Sequence, residues 1–147
     1  VIIGEGELHD YIVDLIRKKG LADYFAVSGF KENIEKYIYA SDLITVPSGL
    51  EGMGSIIIES CSLKKAVIAS DVGGIPEIIK NKETGLLFKN GDFTELSEKI
   101  MYLIEKYDLI ENFATNCYNE VLKKFDAKAV TSKTAEFYLE LLESTNK

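Results

Sequence analysis

Glu51 and Glu59 are two carboxylates with seven residues between them, Gly52-Met53-Gly54-Ser55-Ile56-Ile57-Ile58. An ionised carboxylate only accepts hydrogen bonds, so each suits the hydroxyls of a sugar, and one carboxylate can span a vicinal diol. Gly52 and Gly54 lack a Cβ, which lets a ligand lie against bare backbone. A small-residue loop that opens a helix also offers free amides to an anion. Anion and hydroxyls together fit a nucleotide-sugar. A lone pair of glutamates at this spacing is common, so the surrounding elements decide its weight.

Those elements alternate. Apolar runs of strand length occur at 1–3, 26–28, 43–46, 66–70 and 86–88. Helical patterns separate them. Leu8, Tyr11, Ile12, Leu15 and Ile16 form a stripe closed by Gly20, and Ile34, Tyr37 and Ile38, with Phe30 as an optional member, form a second. Ile56, Ile57, Ile58 and Leu63 face a sheet from a third. Ile75, Ile78 and Ile79 mark a short helix with Pro76 in its first turn. Strands that alternate with helices predict an α/β, Rossmann-like, doubly wound parallel sheet. From Gly91 the strands stop, and three helices follow, the first capped by Asp92 or Thr94. They must dock on the sheet or on one another. No Gly, Pro or Ser linker divides the chain, so one domain over 1–147 is expected, alternating over 1–90 and helical over 91–147.

The 147 residues suffice for one core. A hydrophobic share of 46% with 28% charged is ordinary for a globular domain, and no apolar run reaches membrane-spanning length. No basic stretch leads into an apolar core in the manner of a signal peptide. The net charge of −7 argues against nucleic acid and anionic lipid, which bind through Lys and Arg. Cys61 and Cys117 lack metal-ligand spacing. They read as reduced cysteines of a cytoplasmic protein, Cys61 as a small buried hydrophobe, and not as a disulfide framework. His9, the only histidine, has no nucleophile beside it and reads as a solvated or capping residue.

The ordered blocks Pro47-Ser48, Glu51, Gly52-Met53-Gly54, Glu59, Ala66-Val67-Ile68-Ala69 and Gly73-Gly74-Ile75-Pro76-Glu77 resemble the donor-binding half of retaining glycosyltransferases of family 4, with the GT-B fold. Val1-Ile2-Ile3-Gly4-Glu5-Gly6 looks like the family's strand and glycine turn, and Val27-Ser28-Gly29, Tyr37 and Ala40-Ser41-Asp42 also match. The resemblance covers about the whole chain. Met53 stands where an aromatic residue is usual, and Ala66 replaces a common proline.

The resemblance implies transfer of a sugar from a nucleoside-diphosphate-sugar to an acceptor hydroxyl, with no cofactor and no metal for the chemistry. Glu59 would hold the ribose diol. Glu51 would lie against the transferred sugar as an electrostatic support near the anomeric carbon. Gly52, Met53, Gly54 and Ser55 would supply amides to sugar and diphosphate, and Gly29 and Phe30 would cradle the base. Met53 and Phe30 also read as core residues. Gly73 and Gly74 shape a turn, with Glu77 capping or in solvent.

The family's donor domain starts one strand-loop-helix unit earlier, with a basic pair for the diphosphate, and its acceptor lies in an N-terminal domain. The chain therefore reads as a C-terminal portion that should not turn over alone. The sheet's central first strand would be missing, and strand 1–3 is expected to stay apart from strand 43–46. The resemblance further implies a sugar, glycolipid or polysaccharide acceptor and a cytoplasmic place, at the inner membrane face for a lipid acceptor. Two rival readings are a GT-B-like nucleotide-sugar epimerase and a non-catalytic, flavodoxin-like binding module. The epimerase would need acid/base groups that are not evident, and the module would show no preference for nucleotide-sugars.

Overall fold

The structure is a computed structural model that describes residues 1–145. Its elements follow the order β1 (Ile2–Ile3), α1 (His9–Lys18), β2 (Val27–Ser28), α2 (Ile34–Ala40), β3 (Leu43–Val46), α3 (Ser55–Ser62), β4 (Ala66–Ser70), α4 (Ile75–Ile78), β5 (Leu86–Phe88), α5 (Phe93–Glu105), α6 (Tyr107–Phe125) and α7 (Ala127–Thr145). Each strand falls within an apolar run that predicts it. The strands pair in parallel as two sheets, β1-β2 and β3-β4-β5. By packing, the described residues form two compact units, Val1–Ile34 and a second that starts at Glu35.

In the first unit Ile2 pairs with Val27 and Ile3 with Ser28. Helix α1 ends at Lys18, Gly20 N–H reaches Arg17 O at 3.0 Å, and the Gly20 φ of 68° turns the chain so that Leu21 N–H reaches Ile16 O at 3.0 Å. The α1 stripe is only partly used. Ile12 and Ile16 are half-buried, while Leu8, Tyr11 and Leu15 are exposed. Phe30 is 69% exposed and lies before α2, so it belongs neither to a core nor to the second stripe.

The second unit is built around β4, whose five residues are all buried. Side chains alternate across a strand. Val67 and Ala69 enter one apolar layer with Val46, Ile57, Ile75 and Leu87. Ala66 and Ile68 enter the other with Leu86, Phe88, Leu103 and Phe113. Helix α6 contributes to both, through Cys117 and Val121 on one side and Ile110, Phe113 and Ala114 on the other. Ile57 of α3 is fully buried, and Pro76 occupies the first turn of α4 as its missing N–H allows.

One expectation is corrected here. Cys61 and Cys117 are fully buried, but as a disulfide between α3 and α6 with Cα atoms 5.3 Å apart. Their 56-residue separation hid a meeting that only the packing of α3 on α6 creates. Helices α5 and α6 bury apolar residues, and α7 packs on α6 while Val130, Phe137 and Tyr138 stay exposed. No described helix is long and apolar enough to cross a membrane.

Asp92, not Thr94, caps α5, accepting the Glu95 N–H at 2.9 Å. The Glu95 carboxylate takes the Lys89 N–H at 2.7 Å and the Lys99 ammonium at 3.0 Å, and the backbone bond foremost holds it below the usual carboxylate range. A depressed folded value means this support is present at neutral pH and fades as acid approaches that value. Asp92→Ala is expected to cost about 0.5–2 kcal/mol of stability, read from the urea denaturation midpoint.

Candidate functional site

The carboxyl ends of parallel strands face the same way, so the loops after β3, β4 and β5 gather at one edge of the sheet. The loop from Pro47 to Gly54 carries Glu51. One oxygen of its carboxylate, Oε1, accepts the Gly54 N–H at 3.1 Å, and Oε2 accepts the Ser48 hydroxyl at 3.5 Å. Gly54 is the N-cap of α3, buried, in the left-handed conformation with φ 64° and ψ 51°. The helix ladder begins with Ile57 N–H and Ile58 N–H on Gly54 O. The Ser55 and Ile56 amides thus precede the ladder at the positive end of the helix. Ser55 and Glu59 are exposed, Glu59 one turn into the helix.

The loop is held from two further directions. Ser70, fully buried at the end of β4, donates its hydroxyl to Ser48 O at 2.5 Å, with Val46 O at 3.4 Å as a second acceptor. Gly74 N–H donates to Glu51 O at 3.3 Å. Gly73 and Gly74 lie so close that a Cβ on Gly73 would collide with Glu51 O and one on Gly74 with Gly52 O. Beyond β5, Asn90 Nδ2 donates to Gly49 O at 3.2 Å.

Of the sequence candidates, the structure gathers Glu51, Gly52, Met53, Gly54 and Ser55 at the start of α3. Met53 is 62% exposed, so its reading as a core residue is overturned, and Gly52 is exposed as well. Gly29 and Phe30 belong to the first unit, at and after the end of β2, Gly29 half-buried and Phe30 in solvent. His9 pairs with Asp10 at 3.0 Å at the start of α1, in line with a solvated residue, and Glu77 is exposed. Sequence reasoning missed Ser70 and Asn90 as loop supports and assigned Gly73 and Gly74 only a turn. The sole available signal was their place at the end of β4 or just after β4 and β5.

A family model described as "Glycosyl transferases group 1" matches residues 1–144. The chain belongs to that family. N-acetyl-alpha-D-glucosaminyl L-malate synthase of Bacillus anthracis is 25% identical over 97% of the chain and 37% of its own length. Among solved structures, a glycosyltransferase from Rickettsia africae matches with a TM-score of 0.86 and 28% identity, over 95% of this chain and 39% of that one. HepE from Anabaena in complex with UDP matches with a TM-score of 0.85 and 26% identity, over 94% and 40%. HepE also has a structure with UDP-glucose. The fold is that of the Rossmann-like C-terminal domain of GT-B glycosyltransferases. The chain spans well under half the length of these relatives.

Within this group 1 domain, Gly54 is the joint between the glutamate loop and α3. A Cβ there would stand 3.2 Å from Ile57 Cδ1 and 3.6 Å from Ile78 Cδ1, on a backbone that L-residues disfavour. Gly54→Ala is expected to lose about 1–2 kcal/mol of stability from the left-handed backbone alone, measured by thermal or urea unfolding.

Proposed function

We propose that this chain is the donor-binding part of a retaining glycosyltransferase that moves a sugar from a nucleoside-diphosphate-sugar to an acceptor hydroxyl. One observation carries the reading: the Glu51 carboxylate is fixed at the start of α3 by Gly54 N–H and Ser48, with Glu59 one turn along. HepE, of the same fold, binds UDP and UDP-glucose in its crystals, which supports a nucleotide-sugar as the ligand here.

In this reading Glu59 accepts two hydrogen bonds from the ribose diol. The Gly52 and Met53 backbone lies against the sugar, Ser55 and the start of α3 receive the diphosphate, the Gly54 N–H stays on Glu51, and Gly29 and Phe30 border the base. Glu51 lies against the transferred sugar, where a fixed negative charge favours an oxocarbenium-like transition state. Its carboxylate is already oriented, so no reorganisation cost falls on the chemical step. Amides and basic groups take up the leaving-group charge, so the reading requires neither cofactor nor metal. The acceptor, a sugar, glycolipid or polysaccharide, binds to a part of the protein outside this chain. A lipid acceptor places the enzyme at the inner membrane face.

In the intact protein, Glu59→Ala should weaken nucleoside diphosphate binding by up to about 1.5–3 kcal/mol, the worth of a hydrogen bond to a charged group. Calorimetric titration measures it, and unchanged affinity removes Glu59 from the ribose site. Glu51→Gln keeps the shape and loses the charge. The expected result is a fall in kcat well beyond any change in donor KM. A variant altered only in KM would make Glu51 a binding residue without electrostatic work at the transition state.

A further inference from the structure

Glu51 is fixed at its carboxylate by Gly54 and Ser48, but its backbone is placed by residues that touch no ligand in the reading above. Ser70 binds Ser48 O through a fully buried hydroxyl. Gly74 binds Glu51 O through its amide, and Gly73 and Gly74 leave room for Glu51 O and Gly52 O where any Cβ would collide. We infer that Ser70, Gly73 and Gly74 are positioning residues that set the aim of the Glu51 carboxylate, and hence the grip on the transferred sugar. The inference rests on the donor-binding reading of Glu51.

The physical argument is a division of labour within one loop. The amides at the start of α3 are fixed by the helix itself, through Gly54 O and its bonds to Ile57 and Ile58. Glu59 is fixed by the same helix. Neither needs β4 or the glycine pair for its place. The segment from Ser48 to Gly52 has no such internal ladder. Its carbonyls at Ser48 and Glu51 are satisfied from the end of β4 and the turn that follows. Loss of the Ser70 hydroxyl leaves the Ser48 carbonyl short of its buried donor, and the loop must shift to find water. A Cβ on Gly74 pushes Gly52 O away directly. Both changes turn Glu51 while the α3 amides and Glu59 stay in place. The two faults therefore act on the sugar and spare the nucleoside diphosphate.

The experiment is titration of the intact protein and its Ser70→Ala, Gly74→Ala and Glu51→Ala variants with UDP, GDP and ADP, each with and without an attached hexose. Ser70→Ala and Gly74→Ala are expected to weaken the nucleotide-sugar about tenfold, the size of one lost hydrogen bond to a charged group, and to leave the free diphosphate within about twofold. Glu51→Ala should show the same split. If the positioning variants weaken both ligands alike, or neither, while Glu51→Ala is selective for the sugar, the positioning role is overturned and the donor reading survives. If Glu51→Ala shows no selectivity, or the unaltered protein binds neither kind of ligand, the donor reading falls and takes the inference with it. Should Gly74→Ala not fold, Ser70→Ala alone decides.

Discussion

Burial of β4 on both faces is the constraint on which the second unit depends. Every residue from Ala66 to Ser70 is out of solvent, so both sides of the sheet must be covered. That requirement draws α3, α4 and one flank of α6 to one layer and α5 with the other flank of α6 to the second. It also leaves no freedom at the strand's end, where Ser70 must satisfy its hydroxyl without water. It does so on the carbonyls of Ser48 and Val46, which ties the glutamate loop to the core of the sheet. The apolar core and the site are thus consecutive parts of one strand.

The site itself is mostly backbone. Glu51 and Ser48 are the only side chains of the Pro47–Gly54 loop seen to order it, and Gly74 and Asn90 hold its carbonyls from neighbouring loops. The glycines at 73 and 74 exist there because two backbone segments touch with no space for a side chain. A carboxylate next to the helix start is favoured by the helix dipole, so Glu51 gains from its place before any ligand arrives. The chemistry proposed for Glu51 is consistent with the interaction that shapes its loop.

The disulfide and α7 mark the limits of local reasoning. Cys61 lies on the buried side of α3 and Cys117 on the buried side of α6, and their meeting follows from how those helices pack. Helix α7 packs on α6, yet its Phe137 and Tyr138 are exposed. Periodicity states that a face is apolar. It does not state what lies opposite.

The sequence alone determined the strands, the helices between them and the glutamate loop, because each is written in short-range patterns. Continuous apolar runs of strand length, Gly20 after a helical stripe, Asp92 before one, and Gly52-Met53-Gly54 between two glutamates all act within a few residues. The ordered blocks also sufficed to reveal the glycosyltransferase family. Only the tertiary structure decided which residues support Glu51, that Met53 and Phe30 face solvent, and that the two cysteines are bonded. Ser70 reaches Ser48 across 22 positions, and Asn90 reaches Gly49 across 41. Such pairs have no local signature, since they are set by strand register and by helices covering both faces of β4, and those are properties of the whole packed unit.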